Sequence, residues 1–277
     1  MGMAAKERKE RKRTESEFCD LCVLLRLSRT QVMKPLLFLL FAMNAAAVEI
    51  IAHRGFSAKA PENTVEAFEL AWKSGADACE LDIHLTADGE VVVIHDKDTK
   101  RTFPGENKVI AKTKLADLKE LPTLAQALAT MPADRGRFVI EIKTGPEIVP
   151  ALVKVLEPLR ERAKQLAIIS FQKDACAAAK KALPWIPVLQ LSGSKDKKKE
   201  PVDLSKLIAQ AKAANLDGLD LGADWPWSDA MVAQIHAAGL KAVVYTINKP
   251  ADIARYAKLG LDGITTDDPV MAKKALE

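Results

Sequence analysis

The chain has 277 residues, 48% of them hydrophobic and 28% charged, with a formal net charge of +4. Residues 1–34 hold nine Lys/Arg against five acids and residues 35–47 hold neither, so the excess is terminal and residues 48–277 are neutral. A basic nucleic-acid surface on the folded part is thereby excluded.

The terminal segment reads as a leader. From Met33 it offers Lys34, an apolar run Leu36–Met43 and a small-residue site Ala45-Ala46-Ala47. This is the pattern of a secretory signal peptide cleaved before Val48, with 1–32 an extension ahead of the genuine start. The run falls short of the about 20 apolar residues a membrane span needs. The mature protein, residues 48–277, is therefore expected to have no stable membrane span and to be exported, periplasmic or secreted. If 1–47 is instead a disordered basic arm plus an amphipathic or anchoring helix, and not a signal peptide, the protein stays cytoplasmic. Cys19 and Cys22 lack the second pair of a zinc site, and Cys79 and Cys176 read as small buried residues.

Beyond residue 48, strand-like runs alternate with helical stretches. The run Glu49–Ala52 leads into His53-Arg54-Gly55. "PENTVEAFELAWKSG" then predicts a helix, with Asn63 and Glu66 as a capping box and Gly75 as its stop. In the next strand, Cys79–His84, the polar Glu80, Asp82 and His84 share one face. Asp88-Gly89 predicts a two-residue hairpin turn and a return strand Val91–His95. Counting outward from Ala87 opposite Glu90 puts His84 across from Val93 and Asp82 across from His95, bringing an imidazole beside two carboxylates.

Further strands are expected at Phe138–Lys143, Ala167–Ser170, Pro187–Leu191, Gly218–Leu221, Lys241–Thr246 and Gly263–Thr266. Helices are expected at 122–131, 147–161, 172–182, 203–214, 228–238, 250–258 and 268–276. Eight strand–helix units of this length predict an α/β fold, a TIM-type (β/α)₈ barrel with a β-hairpin extension after the second strand. "SGSKDKKKEP", 192–201, follows the fifth barrel strand and reads as a solvated loop, its sharper alternative being a phosphate-attracting one.

In such barrels functional groups sit at strand C-termini. His53 and Arg54, then Glu80, Asp82 and His84, then Glu141 and Lys143 all fall there. Three converging carboxylates call for a hard divalent cation, Mg²⁺ or Ca²⁺. Pairing with Arg54 and Lys143 is the plainer reading, and a phosphate ester held between metal and bases reconciles the two. His53 and His95 would move protons. His84 is ambiguous, and His236 reads as a surface or packing residue. No nucleotide-binding glycine loop and no Gly-x-Ser-x-Gly elbow is present.

"IAHRG", "PENT", "ELDIHLTADG", "VVVIHD", "FVIEIK", "VVYTINKP" and "DGITTDDP" together resemble the glycerophosphodiester phosphodiesterases, over about residues 49 to 275. The resemblance implies a metal-dependent hydrolase of small-molecule glycerophosphodiesters, yielding glycerol 3-phosphate and an alcohol and so serving lipid and glycerol metabolism. It implies His53 as general base and His95 as general acid. Glu80, Asp82 and Glu141 would be metal ligands, Arg54 and Lys143 would bind phosphate, and Glu62 would support the substrate-binding rim. Two features depart from the family: residues 97–121 make only a small cap, and Tyr245 stands where Trp is common as a head-group wall. The alternatives are a lysophospholipase D-like enzyme using an apolar groove around Trp225 and Trp227, and a silent phosphodiester-binding barrel.

Overall fold

Ile-, Val- and Leu-rich runs buried on both faces form the parallel barrel expected of such sequence. The computed structural model describes residues 48–103, 105 and 107–277, so the leader reading of 1–47 lies outside the described residues. The strands are β1 (Glu49–Ala52), β2 (Ala78–Leu85), β3 (Val91–Val93), β4 (Phe138–Ile142), β5 (Leu166–Ser170), β6 (Val188–Ser192), β7 (Gly218–Gly222), β8 (Lys241–Tyr245) and β9 (Gly263–Thr266). All but β3 pair in parallel, and β1 closes the barrel by pairing β2 (Ile51 with Ala78) and β9 (Ile50 with Ile264). The α-helices are α1 (Val65–Lys73), α2 (Leu124–Ala129), α3 (Val149–Leu156), α4 (Lys173–Ala182), α5 (Leu204–Ala213), α6 (Asp229–Ala237), α7 (Pro250–Lys258) and α8 (Pro269–Lys274). Among the described residues no helix is long and apolar enough to cross a membrane.

Strand alternation decides where each side chain goes. Ile50, Leu81, Ile140, Ile168 and Leu219 turn outward into the core shared with the helices. Ile51, Ala78, Val139, Ala167, Leu189 and Val243 turn inward and fill the barrel with a second apolar cluster. The inward parity of β2, β4, β7 and β8 continues upward as Glu80 and Asp82, Glu141, Asp220, and Tyr245. The barrel interior is thus apolar in its lower layers and acidic at the C-terminal rim.

The hairpin differs from its prediction. Observed pairs are Ile83 with Val93, His84 with Val92 and Leu85 with Val91, one residue out of the expected register. The loop has three residues rather than two. Thr86 N–H donates to Glu90 O (2.9 Å), Gly89 N–H to Thr86 O (3.1 Å), and Gly89 takes φ 83°. The Thr86 hydroxyl accepts from Glu90 N–H and donates to Asp88 Oδ1 at 2.6 Å, which favours the longer turn. Asp82 therefore faces Ile94, whose N–H donates to the Asp82 carbonyl (3.0 Å), and β3 ends before His95. The short cap folds under this hairpin: Val92, Ile94, Ile110, Leu118 and Leu121 form a separate core with Phe103 and Leu115 against it.

Two helix starts also differ. Thr64, not Asn63, caps α1 by accepting from Ala67 N–H, which frees the Asn63 side chain for the barrel mouth. The helix expected over 147–161 divides into a 3₁₀ turn at Pro146–Ile148, α3, and an irregular 3₁₀ segment Glu157–Gln165. Pro158 supplies no N–H to continue α3. Gly55 has no substitute in "HRG": at φ 80° a Cβ would lie 2.7 Å from the Ala67 backbone, where α1 packs against the end of β1.

Candidate active site

The rim begins just after β1, where Arg54 adopts φ 55°, unusual for a residue with a side chain. That conformation aims its N–H at Glu80 Oε2 (3.0 Å), while its guanidinium lies 3.3 Å from Asp82 Oδ2 and 2.9 Å from Glu62 Oε1. Asn63, also left-handed at φ 60°, clasps Asp82 twice: Nδ2 donates to Asp82 Oδ2 (2.8 Å) and Asp82 N–H donates to Asn63 Oδ1 (3.2 Å). Asn tolerates this conformation better than most residues. Across the mouth, Lys143 Nζ lies 2.9 Å from Glu141 Oε1 and 3.3 Å from Asp82 Oδ1.

Glu80, Asp82 and Glu141 each offer an oxygen within 4.8 Å of the others, and all three residues are buried. Burial, reinforced by Asp82 and Glu141, pushes Glu80 well above the carboxylate range. Burial and Asp82 raise Glu141 to about 7 against the pull of Lys143. Burial acts against Asp82 as well, yet Lys143 and Arg54 hold it below its ordinary value. Glu80 Oε1 is buried with no hydrogen-bond partner. An unpartnered buried oxygen within an all-oxygen donor set suits a hard divalent cation.

Each candidate histidine is held from behind by a carboxylate. His53 Nδ1 lies 2.6 Å from Asp267 Oδ1, and Asp267 also accepts from Ser57 Oγ (3.2 Å) and Asn248 Nδ2 (2.5 Å). Burial opposes the Asp267 charge, but the His53 hydrogen bond keeps its carboxyl low. His95 Nδ1 lies 2.6 Å from Asp96 Oδ1. Arg101 from the cap grips Asp96 through Nε (2.7 Å), holding that carboxyl down at about 2. The same guanidinium reaches both oxygens of Glu62 (2.6 and 2.9 Å), so a continuous chain runs His95–Asp96–Arg101–Glu62–Arg54. An ionised carboxylate accepting at Nδ1 leaves Nε2 to exchange a proton.

Glu62, expected at the substrate-binding rim, is thus engaged by two arginines. Tyr245 lines a hollow of about 30 Å³ with His53, Glu80, Glu141 and Asp220. His84 sits behind the rim, its Nε2 3.1 Å from His95 O and its pKa lowered by burial, so it anchors the backbone that carries His95. His236 is exposed and pairs with Asp262 (2.9 Å). Trp225 and Trp227 are buried, and their indole N–H groups donate to Ser192 O and Gly222 O.

Sequence reasoning missed Asn63, Asp96, Arg101, Asp267 and Asp220 as members of this neighbourhood. Asp96, beside His95 in "VVVIHD", and Asp267, in "DGITTDDP", lay within motifs already singled out. Asp220 had a signal too: an acid between Leu219 and Leu221 in a barrel strand must point inward. Its Oδ1 is buried without a partner, and burial, reinforced by Glu141, raises it to about 8.

The model of the glycerophosphoryl diester phosphodiesterase family matches residues 53–271. A glycerophosphodiester phosphodiesterase of Caldanaerobacter subterraneus subsp. tengcongensis is 32% identical over 79% of this chain and 94% of its own. One of Bacillus altitudinis is 30% identical over 83% and 98%. An Oleispira antarctica phosphodiesterase, solved in complex with the product sn-glycerol-3-phosphate, superposes with a TM-score of 0.72 at 27% identity, over 82% of this chain and 96% of that one.

Asp220 yields a pH prediction. The folded chain keeps this proton to about 8, whereas an unfolded aspartate releases it near 3.8. Between those values the folded state binds more protons, so the Asp220 contribution to stability declines as pH rises, by about 1.4 kcal/mol per unit at full effect. Asp220→Asn cannot titrate. In chelator, denaturant melts should show it gaining on the wild type from pH 5 to pH 8; parallel profiles would refute the assignment.

Proposed function

The chain belongs to the glycerophosphoryl diester phosphodiesterase family, and from that premise we propose that it hydrolyses a glycerophosphodiester to glycerol 3-phosphate and an alcohol, with His53 and His95 as its proton-transfer groups. The observation that carries this reading is the pair of histidines, each backed by a carboxylate at 2.6 Å, at the rim that also holds three clustered acids.

Glu80, Asp82 and Glu141 would hold a divalent cation, with Mg²⁺ or Ca²⁺ the choice favoured by oxygen donors. When bound, such a cation offsets negative charge on the phosphoryl oxygens. Arg54 and Lys143 supply the remaining positive charge around the phosphate. Both are already positioned by carboxylates, so little reorganisation attends binding. His53, oriented by Asp267, takes the proton of the attacking oxygen, and His95, oriented by Asp96, gives one to the departing alcohol. The assignment of base to His53 and acid to His95 follows the His-Arg-Gly and His-Asp motifs. Tyr245 serves as a wall of the substrate pocket. A lipid-cleaving alternative would need an apolar groove around Trp225 and Trp227, and both indoles are spent on loop packing. Met33–Ala47 supports export, with cleavage before Val48.

Three outcomes follow. Chelation should abolish release of glycerol 3-phosphate and added Mg²⁺ or Ca²⁺ should restore it, while calorimetry should show Glu80→Gln losing cation binding; full turnover by metal-free protein would refute the metal reading.

His53→Ala and His95→Ala should each lower kcat by about 10²–10⁴-fold. A nitrophenyl diester, whose alcohol departs without protonation, should partly rescue His95→Ala and leave His53→Ala inactive. The reverse pattern would exchange the roles.

N-terminal sequencing of protein recovered from its native compartment should begin at Val48, and an intact leader would refute export.

A further inference from the structure

The rim hollow does not end at Tyr245. Phe171, Leu191 and Tyr245, which line it, also line a second cavity of about 540 Å³ above β5 and β6. Phe171, half exposed, stands edge-on to Tyr245 with ring centroids 6.0 Å apart, so the two rings form the threshold between the hollows. The outer cavity is lined by Lys173, Lys195, Lys197 and Lys206, drawn from the start of α4, the 192–201 loop and α5. Among the described residues two acids, Asp196 and Asp203, share that lining, and both are committed locally. Asp196 Oδ1 accepts from Lys198 N–H (2.8 Å) and Glu200 N–H (2.9 Å), which shapes the loop, and Asp203 caps α5 by accepting from Lys206 N–H (3.2 Å). Among the described residues Lys195, Lys197 and Lys206 make no ion pair, and Lys173 donates only to Gln210 Oε1 (2.5 Å).

We propose that this cavity receives a second phosphate of the substrate, so that the preferred glycerophosphodiester carries a phosphate monoester on the arm that extends over β5 and β6. The proposal rests on the phosphodiesterase reading of the rim and names its substrate class. A phosphate monoester brings about −1.5 to −2 charges at neutral pH and three acceptor oxygens, matching several flexible ammonium groups around one hollow. The alternative occupant, a quaternary ammonium head group, finds two aromatic rings at the threshold but a surplus of lysines beyond them, and like charge disfavours it.

The test compares glycerophosphoglycerol with the same diester phosphorylated on its far hydroxyl, and with glycerophosphocholine. Wild-type protein should show a KM about tenfold lower for the phosphorylated diester than for its parent, the difference narrowing with salt, and should turn over the choline diester least well. The triple variant Lys195→Ala, Lys197→Ala, Lys206→Ala should erase the difference while leaving kcat and KM on the parent unchanged. Removing Lys181, Lys212 and Lys258, which lie in the last turns of α4, α5 and α7 at the other end of the barrel, should leave the preference intact. Equal KM values in the wild type, a preference that survives in the triple variant, or an equal loss from the control variant would each overturn the proposal. Absence of turnover on all three diesters would count against the phosphodiesterase reading alone. Calorimetric titration of the phosphorylated diester and its parent into wild type and triple variant judges the cavity independently of turnover: tighter binding of the phosphorylated form, lost in the triple variant, supports it, and equal binding overturns it.

Discussion

Three carboxylates packed into a barrel mouth repel one another, and most of the surrounding architecture can be understood as an answer to that repulsion. Burial and mutual repulsion raise the pKa values of Glu80 and Glu141. Asp82 keeps its charge because Arg54 and Asn63, from the loop after β1, and Lys143, just beyond β4, converge on it. Two of those residues, Arg54 and Asn63, accept left-handed backbone conformations to do so. Conformations of that kind persist where surrounding contacts over-determine them, which here means the packing of Gly55 against α1 and the Asn63 N–H donated to Arg54 O.

Barrel and site are written in the same strands by parity. Outward positions such as Leu81 and Ile140 secure the helices, whereas inward positions read Ala78, Glu80, Asp82 along β2 and Val139, Glu141 along β4. This is why the fold and the acidic cluster were legible from sequence: alternation within a strand and the placement of active groups at strand ends are both local rules. His53, Arg54 and Lys143 follow from the same rules, being the first residues beyond their strands.

What escaped was whatever depended on one hydrogen bond deciding between two local solutions. Thr86 turned a two-residue loop into a three-residue one and moved His95 off the ladder. Thr64 displaced Asn63 as the helix cap and released it to Asp82. Asp220 belongs to no motif in "GLDLG", and its inward parity between Leu219 and Leu221 was the signal it offered. Arg101 was beyond reach for another reason. Its role exists only because the cap closes its own small core and sets the guanidinium between Asp96 and Glu62.

The contact between His53 and Asp267 joins residues 214 positions apart, at the ends of the first and last strands. During synthesis His53 is made 214 residues before its partner. No fragment ending short of β9 can orient it, however well the earlier strands have collapsed. The orientation of His53 is thereby tied to closure of the ring by β9.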